Sequence, residues 1–361
     1  MRAVLCSVVL ALGCGRAHHD DSPVAAAPRV ASQPPQGAGD PPQATGEPPQ
    51  GAGKPPQGTR PVAREPAAPA CTIAPLALRL PAPARLVAIG DLHGDLGATR
   101  AALRAAGAID HHDHWIGREL VVVQTGDILD RGDDEQAILD LLARLEGEAR
   151  SAGGALIQLL GNHELMNAAG DFRYVTPGGL HDFDDAPRGT ATPSANVPAA
   201  PSANIPAAAR GRFAALRPGG SYAHRLAQHA VIAIVGDTVF SHAGVLGSWV
   251  RRVDEVNQTA RCWLDGQAAE PPPALTSDDS PVWTRSAGMA TVDCAALSTS
   301  LAALSVKRMV VGHTVQPAGI TSACDALLWR IDVGLSSAYG GPIQVLELTP
   351  GAAPRIVTGT R

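Results

Sequence analysis

Three stretches of this chain each close an apolar run with glycine and then present side chains able to bind metal or move protons. They are Gly90-Asp91-Leu92-His93, Gly126-Asp127-Ile128-Leu129-Asp130-Arg131 and Gly161-Asn162-His163-Glu164. His93 and Asp127 lie 34 residues apart, and Asp127 and Asn162 lie 35 apart. His242 and His313 also directly follow apolar runs. Carboxylates, an amide oxygen and imidazoles make an oxygen and nitrogen donor set suited to Mn, Fe or Zn. No Cys-x-x-Cys spacing points to a structural zinc. Asp91, His93, Asp127, Asn162, His242 and His313 are six candidate ligands, enough for two ions, with Asp127 able to give an oxygen to each and His163 left over. Two carboxylates leave two divalent cations under-neutralised, a condition suited to a hydroxide and a phosphate between them. His163-Glu164 does not open an H-E-x-x-H zinc helix, because the fifth position is Asn167.

Positioning falls to the elements before each glycine. Residues 85–90, 119–126 and 155–161 are of strand length and rich in Val, Ile and Leu. Residues 96–106 read as an Ala-rich helix, and 134–150 place Ile138, Leu139, Leu141, Leu142 and Leu145 at helical spacing. Strand–helix–strand at this interval implies parallel pairing, so the three strand ends reach one edge, where such sheets bind ligands. Residues 230–244 read as a hairpin turning at Gly236-Asp237, and 308–314, 327–335 and 343–349 as further strands. The expectation is an α/β domain over 85–349, parallel-rich in its first half and more antiparallel in its second.

Taken in order, G-D-x-H-G-D, G-D-x-x-D-R-G-x-x-E, G-N-H-E, S-H-A-G and V-G-H-T resemble the calcineurin-like metallophosphoesterases. Within them the chain is most similar to the phosphoprotein phosphatase branch and its Shewanella-like members, through "VQTGDILDRGD", "LLGNHELMN", "GDFRYV" and "VWTR". The resemblance implies a four-layer αββα sandwich with mixed sheets and two divalent metal ions, Mn being the usual choice in vitro. It also implies direct in-line attack by a metal-bound hydroxide, with no phosphoenzyme. Carried over residue by residue, Asp91 and His93 would hold one ion, Asp127 would bridge, and Asn162, His242 and His313 would hold the other. His163 would be the general acid, oriented by Asp130, with Arg131 as a phosphate clamp and Arg285 of "VWTR" as a second. The implied activity is phosphomonoester hydrolysis, on phosphotyrosine or phosphoserine/threonine of proteins. The alternatives are a phosphodiesterase, a small-metabolite or nucleotide phosphatase, and an exported binding module with a dead site. A D-R-G arginine serves a dianion and disfavours diesters, and the filled ligand set disfavours the dead module.

With 45% apolar residues among 361, the chain can bury a sizeable core, and its net charge of −5 offers no basic footprint for nucleic acid. Sixteen of the 31 prolines fall in the first 84 residues, which contain the repeat PPQGAGD, PPQATGE, PPQGAGK. Residues 15–84 therefore read as a semi-extended tether. Residues 1–14 read as a signal peptide, since the apolar run is far short of the roughly 20 residues that span a bilayer. Ala11-Leu12-Gly13-Cys14 resembles a bacterial lipobox, which implies an exported lipoprotein touching membrane only through Cys14. Export leaves Cys71, Cys262, Cys294 and Cys324 in an oxidising compartment; they can stay free or pair in three ways, of which Cys262–Cys294 would staple one irregular segment. Residues 181–220 read as a low-complexity surface insertion, or less readily as a lid, and 350–361 as a tail. Asp133, Asp134 and Glu135 suit a helix start. Asp95 is either structural or a support to the site, and His111–His114 is a solvated loop.

Overall fold

The computed structural model describes residues 71–77, 79–187 and 205–361; the leader, most of the tether and most of the Ala-Pro repeats lie outside the described residues. The strands are β1 (Arg79–Leu80), β2 (Leu86–Ile89), β3 (Val121–Gln124), β4 (Ala155–Gln158), β5 (Ile232–Val235), β6 (Thr238–Ser241), β7 (Arg308–Val311), β8 (Thr321–Ala323), β9 (Leu328–Arg330), β10 (Gln344–Leu348) and β11 (Arg355–Thr358). The helices are α1 (Leu96–Ala105), α2 (Glu135–Ser151), α3 (Asn162–Ala168), α4 (Arg210–Leu216), α5 (Ser221–Leu226), α6 (Val253–Leu264), α7 (Pro273–Thr276) and α8 (Cys294–Leu304).

The short apolar runs form strands because both their faces are covered. Val87, Ala88, Val122 and Val123 in one sheet, and Val239, Phe240, Val310 and Val311 in the other, are fully buried in one apolar core. The first sheet runs β11-β10-β2-β3-β4. Its β2, β3 and β4 pair in parallel and in step, Ile89 facing Gln124 and Gln124 facing Gln158, so all three end together. Helix α2 buries Ile138, Leu139, Leu141, Leu142 and Leu145 along one side, and Gly153 just beyond its end has φ +85°. Helix α1 starts at Asp95, whose carboxylate accepts the Ala98 N–H at 2.8 Å. Helices α1 and α2 pack on this sheet and α6 on the other, giving the αββα sandwich.

The second sheet runs β1-β5-β6-β7-β9-β8. The hairpin at Gly236-Asp237 is present as β5–β6. The second half is the more antiparallel one, as expected, through β5–β6, β8–β9 and β10–β11, but β6 pairs with β7, and β7 with β9, in parallel. Parallel neighbours need a long crossover, and the segment carrying α6, α7 and α8 supplies it between β6 and β7.

The folded part also reaches beyond 85–349 at both ends. β1 pairs with β5, and β11 in the expected tail pairs with β10. The disulfides are Cys71–Cys262 and Cys294–Cys324, not Cys262–Cys294. Cys71–Cys262 joins segments 191 residues apart, while Cys294–Cys324 spans 30 and fastens the start of α8 to the turn before β9, so spacing along the chain does not select the pairs. Of the expected surface insertion over 181–220, the described parts, 181–187 and 205–220, need correction as well. Phe183, Arg212, Ala215 and Leu216 are buried, and α4 packs against α3 and α5. The loop at His111–His114 is tied down by Arg100 and Arg104 on Asp113, on the surface as expected.

Candidate active site

Parallel strands from both sheets deliver the candidate residues. Asp91 and His93 follow β2, Asp127 follows β3, and Asn162 and His163 follow β4. From the other sheet, His242 follows β6 and His313 follows β7. All seven are at least nine-tenths buried. Asp127 Oδ2 lies 3.2 Å from His242 Nε2, 3.7 Å from His163 Nε2 and 3.8 Å from His93 Nε2. His242 Nε2 is also 2.9 Å from Asn162 Oδ1 and 3.0 Å from His313 Nδ1.

The turn that carries Asp127 is strained and then pinned. Asp127 has φ +56°, a region that a non-glycine residue occupies at a cost of about 1–3 kcal/mol. The Glu164 carboxylate holds it there by accepting the backbone N–H groups of Asp127, Ile128, Leu129 and Gly161, at 2.9, 2.8, 3.2 and 2.7 Å. Gly161 itself has an ordinary extended backbone, φ −100°. It must be glycine because a Cβ there would fall 2.2 Å from Asp127 Oδ1. Absence of a side chain, rather than a sharp turn, lets the β4 end approach Asp127.

Three of the four imidazoles are oriented by a backbone carbonyl. His93 Nδ1 is 2.9 Å from Leu129 O, His242 Nδ1 is 3.0 Å from Thr125 O, and His313 Nε2 is 3.2 Å from Trp283 O. A ring nitrogen that donates to a carbonyl leaves the other as a lone pair, and those are the nitrogens that face Asp127 and one another. Burial lowers His93 to about 4, and burial with the neighbouring His242 lowers His313 to about 3. These rings are therefore neutral at ordinary pH. Burial would raise Asp127, but His242, His163 and His93 outweigh it and hold the carboxylate well below its usual range. Inward-facing lone pairs around one ionised carboxylate fit divalent cations. Two groups gather such atoms within 4.8 Å: His93, Asp127 and His163, and Asp127, His242 and His313.

Asp91 sits outside both groups. Its carboxylate accepts the His313 N–H at 3.0 Å and pairs with Asp332, and burial together with Asp332 and Asp127 raises it well above the usual range. His163 Nδ1 makes a short hydrogen bond to Asp130 Oδ2. Burial acts to lower His163, yet Asp127 and Asp130 outweigh it and raise its affinity for a proton. Arg131 Nη1 lies 2.7 Å from His163 Nε2 and 3.0 Å from His93 Nε2, so its guanidinium is inside the site. Tyr174 and Tyr339 face that guanidinium at 4.9 and 5.3 Å and are 44% and 41% exposed. Arg285 is exposed at the rim, bonded to His313 O and Thr314 Oγ1, each at 3.3 Å.

Asp332, Glu164, Glu135, Asn167, Arg212 and the two tyrosines were not singled out as site residues by sequence. Asp332 follows β9 with the same strand–Asp pattern as Asp91 and could have been found that way. Glu135 does begin α2, but it is fully buried and bonded to Arg212 and the Asp130 N–H, so it does more than complement the helix dipole. Asp95 caps α1 and also accepts the Ser337 N–H at 2.7 Å. Arg212 carried no local signal, as one of three arginines (Arg210, Arg212 and Arg217) in an alanine-rich stretch.

The profile of the calcineurin-like phosphoesterases matches residues 84–317. The chain is 40% identical over 314 residues to the Shewanella-like protein phosphatase 2 of Arabidopsis thaliana, covering 78% of this chain and 80% of that one. It is 28% identical over 273 residues to the Shewanella-like protein phosphatase 1 of Plasmodium berghei, covering 72% and 69%. Among solved structures it shares the fold of a cold-active protein-tyrosine phosphatase from a psychrophilic Shewanella species, with TM-score 0.62, 24% identity and coverage of 78% and 83%.

Glu164→Gln leaves every candidate ligand side chain in place but turns an amide NH2 toward backbone donors. Each charge-assisted bond lost is worth about 1.5–3 kcal/mol. The expected result is a lower melting temperature together with reduced metal content by elemental analysis. Unchanged values for both would show that Glu164 does not hold the Asp127 turn.

Proposed function

This chain belongs to the calcineurin-like metallophosphoesterase family, as a metal-dependent phosphoester hydrolase, and we propose that its substrates are phosphorylated proteins. In this reading Asp91 and His93 would hold one divalent ion, Asn162, His242 and His313 would hold a second, and Asp127 would serve both. When bound, such ions supply Lewis acidity toward the phosphoryl group and an acidified water. The observation that carries the reading is the Arg131 guanidinium, held inside the site between His93 and His163. Its planar fork can bond two terminal oxygens at once, and its positive charge matches the dianion of a monoester better than the monoanion of a diester.

His163 serves as the general acid. Asp130 on Nδ1 fixes the ring and favours the protonated form, so Nε2 can give its proton to the departing oxygen. Arg285, exposed beside Thr314, is the second phosphate clamp. Tyr174 and Tyr339 both face Arg131 and lie close to the His163 and His93 rings, at 5.2 and 5.7 Å. Two half-exposed rings at the entrance suit a flat aromatic leaving group, which favours phosphotyrosine over phosphoserine or phosphothreonine. Relatives described as Shewanella-like protein phosphatases and as a cold-active protein-tyrosine phosphatase support this substrate class.

Export as a lipoprotein anchored through Cys14 belongs to the same proposal. The leader lies outside the described residues, and support comes from its sequence and from the two disulfides, which suit an oxidising compartment.

Purified protein with Mn²⁺ is expected to hydrolyse p-nitrophenyl phosphate and phosphotyrosyl peptides, with chelator abolishing both activities. His163→Gln should retain its metal and lose about 10²–10⁴-fold in turnover on esters with poor leaving groups. No chelator-sensitive activity on any monoester would refute the phosphatase reading, and unchanged turnover would remove His163 from the acid role. Expressed with its leader in a bacterium, the chain should incorporate labelled palmitate, and Cys14→Ala should not. Equal labelling of the two would refute the anchor.

A further inference from the structure

Behind His163 lies a closed polar network that ends on a residue from another part of the chain. Asp130 uses Oδ2 for His163 Nδ1 and Oδ1 for two donors, Asn167 Nδ2 at 2.9 Å and Arg212 Nη2 at 3.2 Å. Arg212, on α4, is completely buried. Its Nε donates to Asn167 Oδ1 at 2.7 Å. Its Nη1 donates to Gly179 O at 2.9 Å and to Glu135 Oε2, and its Nη2 also donates to Glu135 Oε1 at 2.8 Å. All five guanidinium N–H groups thus have an acceptor, an arrangement no other side chain can reproduce. Asn167 completes the circuit by donating to the His163 carbonyl at 2.9 Å.

Charge explains why the cation is needed. Asp130 and Glu135 are both fully buried, and Glu135 Oε1 accepts the Asp130 N–H. Two adjacent buried carboxylates repel unless a cation separates them, and Arg212 is bonded to both. With Glu135 neutralised by Arg212, the charge of Asp130 is left for the imidazole. The bond to Oδ1 also fixes the Asp130 rotamer, so Oδ2 must face His163.

We propose that Arg212 is the positioning residue of the proton-donating pair: its five-bond fork on Glu135, Asp130, Asn167 and Gly179 holds Asp130 in the rotamer that aims His163 Nε2 at the leaving oxygen. The proposal rests on His163 being the general acid. Arg212 touches neither substrate nor metal, so its loss affects the step that depends on leaving-group protonation and spares substrate binding.

The test compares turnover on p-nitrophenyl phosphate, whose leaving group departs with little help, and on phenyl phosphate, whose leaving group needs a proton. Arg212→Lys keeps the buried charge but cannot reach all the acceptors. It is expected to lose about 10²-fold in kcat on phenyl phosphate and roughly tenfold or less on p-nitrophenyl phosphate, with metal content and KM retained. Should Arg212→Lys fail to fold, Asn167→Ala carries the test, because it cuts the same network without unpairing a charge, and the same split is expected. Equal losses on both esters, or none, would overturn the proposal. His163→Gln is measured in parallel: if it shows the leaving-group split and the network variants do not, this inference alone fails. If His163→Gln shows no split, the general-acid assignment itself fails.

Discussion

The site depends on keeping one carboxylate ionised in the protein interior. Asp127 is 2% exposed, and an isolated buried charge there would cost many kcal/mol. Three imidazoles surround its Oδ2, and the His163 backbone N–H donates to its Oδ1 at 3.0 Å. The carboxylate thereby stays far below its usual pKa. Placing three rings around it requires strand ends from both sheets, and so the parallel trios β2-β3-β4 and β6-β7-β9 follow from the same need. Glu164, which pins the Asp127 turn, is likewise a fully buried carboxylate and faces the same electrostatic demand.

The site has two sides built in different ways. The candidate metal-ligating atoms come from strand ends, where geometry is set by pairing register and by carbonyls that orient the rings. The side proposed to donate the proton is a network of side chains spanning α2, α3 and α4, and Arg212 is 82 residues from Asp130 in sequence. Because Asn162 and His163 are neighbours on α3, a shift of that short helix would disturb both sides together. Asn167, one turn further along α3, ties the helix to Arg212 and so links them.

The strand-end side was legible in the sequence. Gly-Asp and Gly-Asn steps after apolar runs, one βαβ interval apart, placed Asp127 and Asn162 correctly, because pairing in a parallel sheet turns sequence spacing into spatial coincidence. Where information is nonlocal, the sequence was silent. The partners of Cys71 and Cys324, the parallel pairing of β6 with β7, and the short strands β1 and β11 all depend on contacts between distant segments. Arg212 is the sharpest case, since its neighbours look like filler and its burial is set by Glu135 and Asp130. Gly161 is visible in the sequence as the end of an apolar run, but the steric clearance it provides against Asp127 is not.

Asp127 as the shared carboxylate of the metal centre is the claim on which the other assignments rest. It is tested most directly by reconstituting metal-free protein with Mn²⁺ and counting bound ions per folded chain, for the wild type and for Asp127→Asn. Wild type is expected to bind two ions, and Asp127→Asn, folded by circular dichroism, should fall well short of that. Full two-ion occupancy in Asp127→Asn would contradict the account.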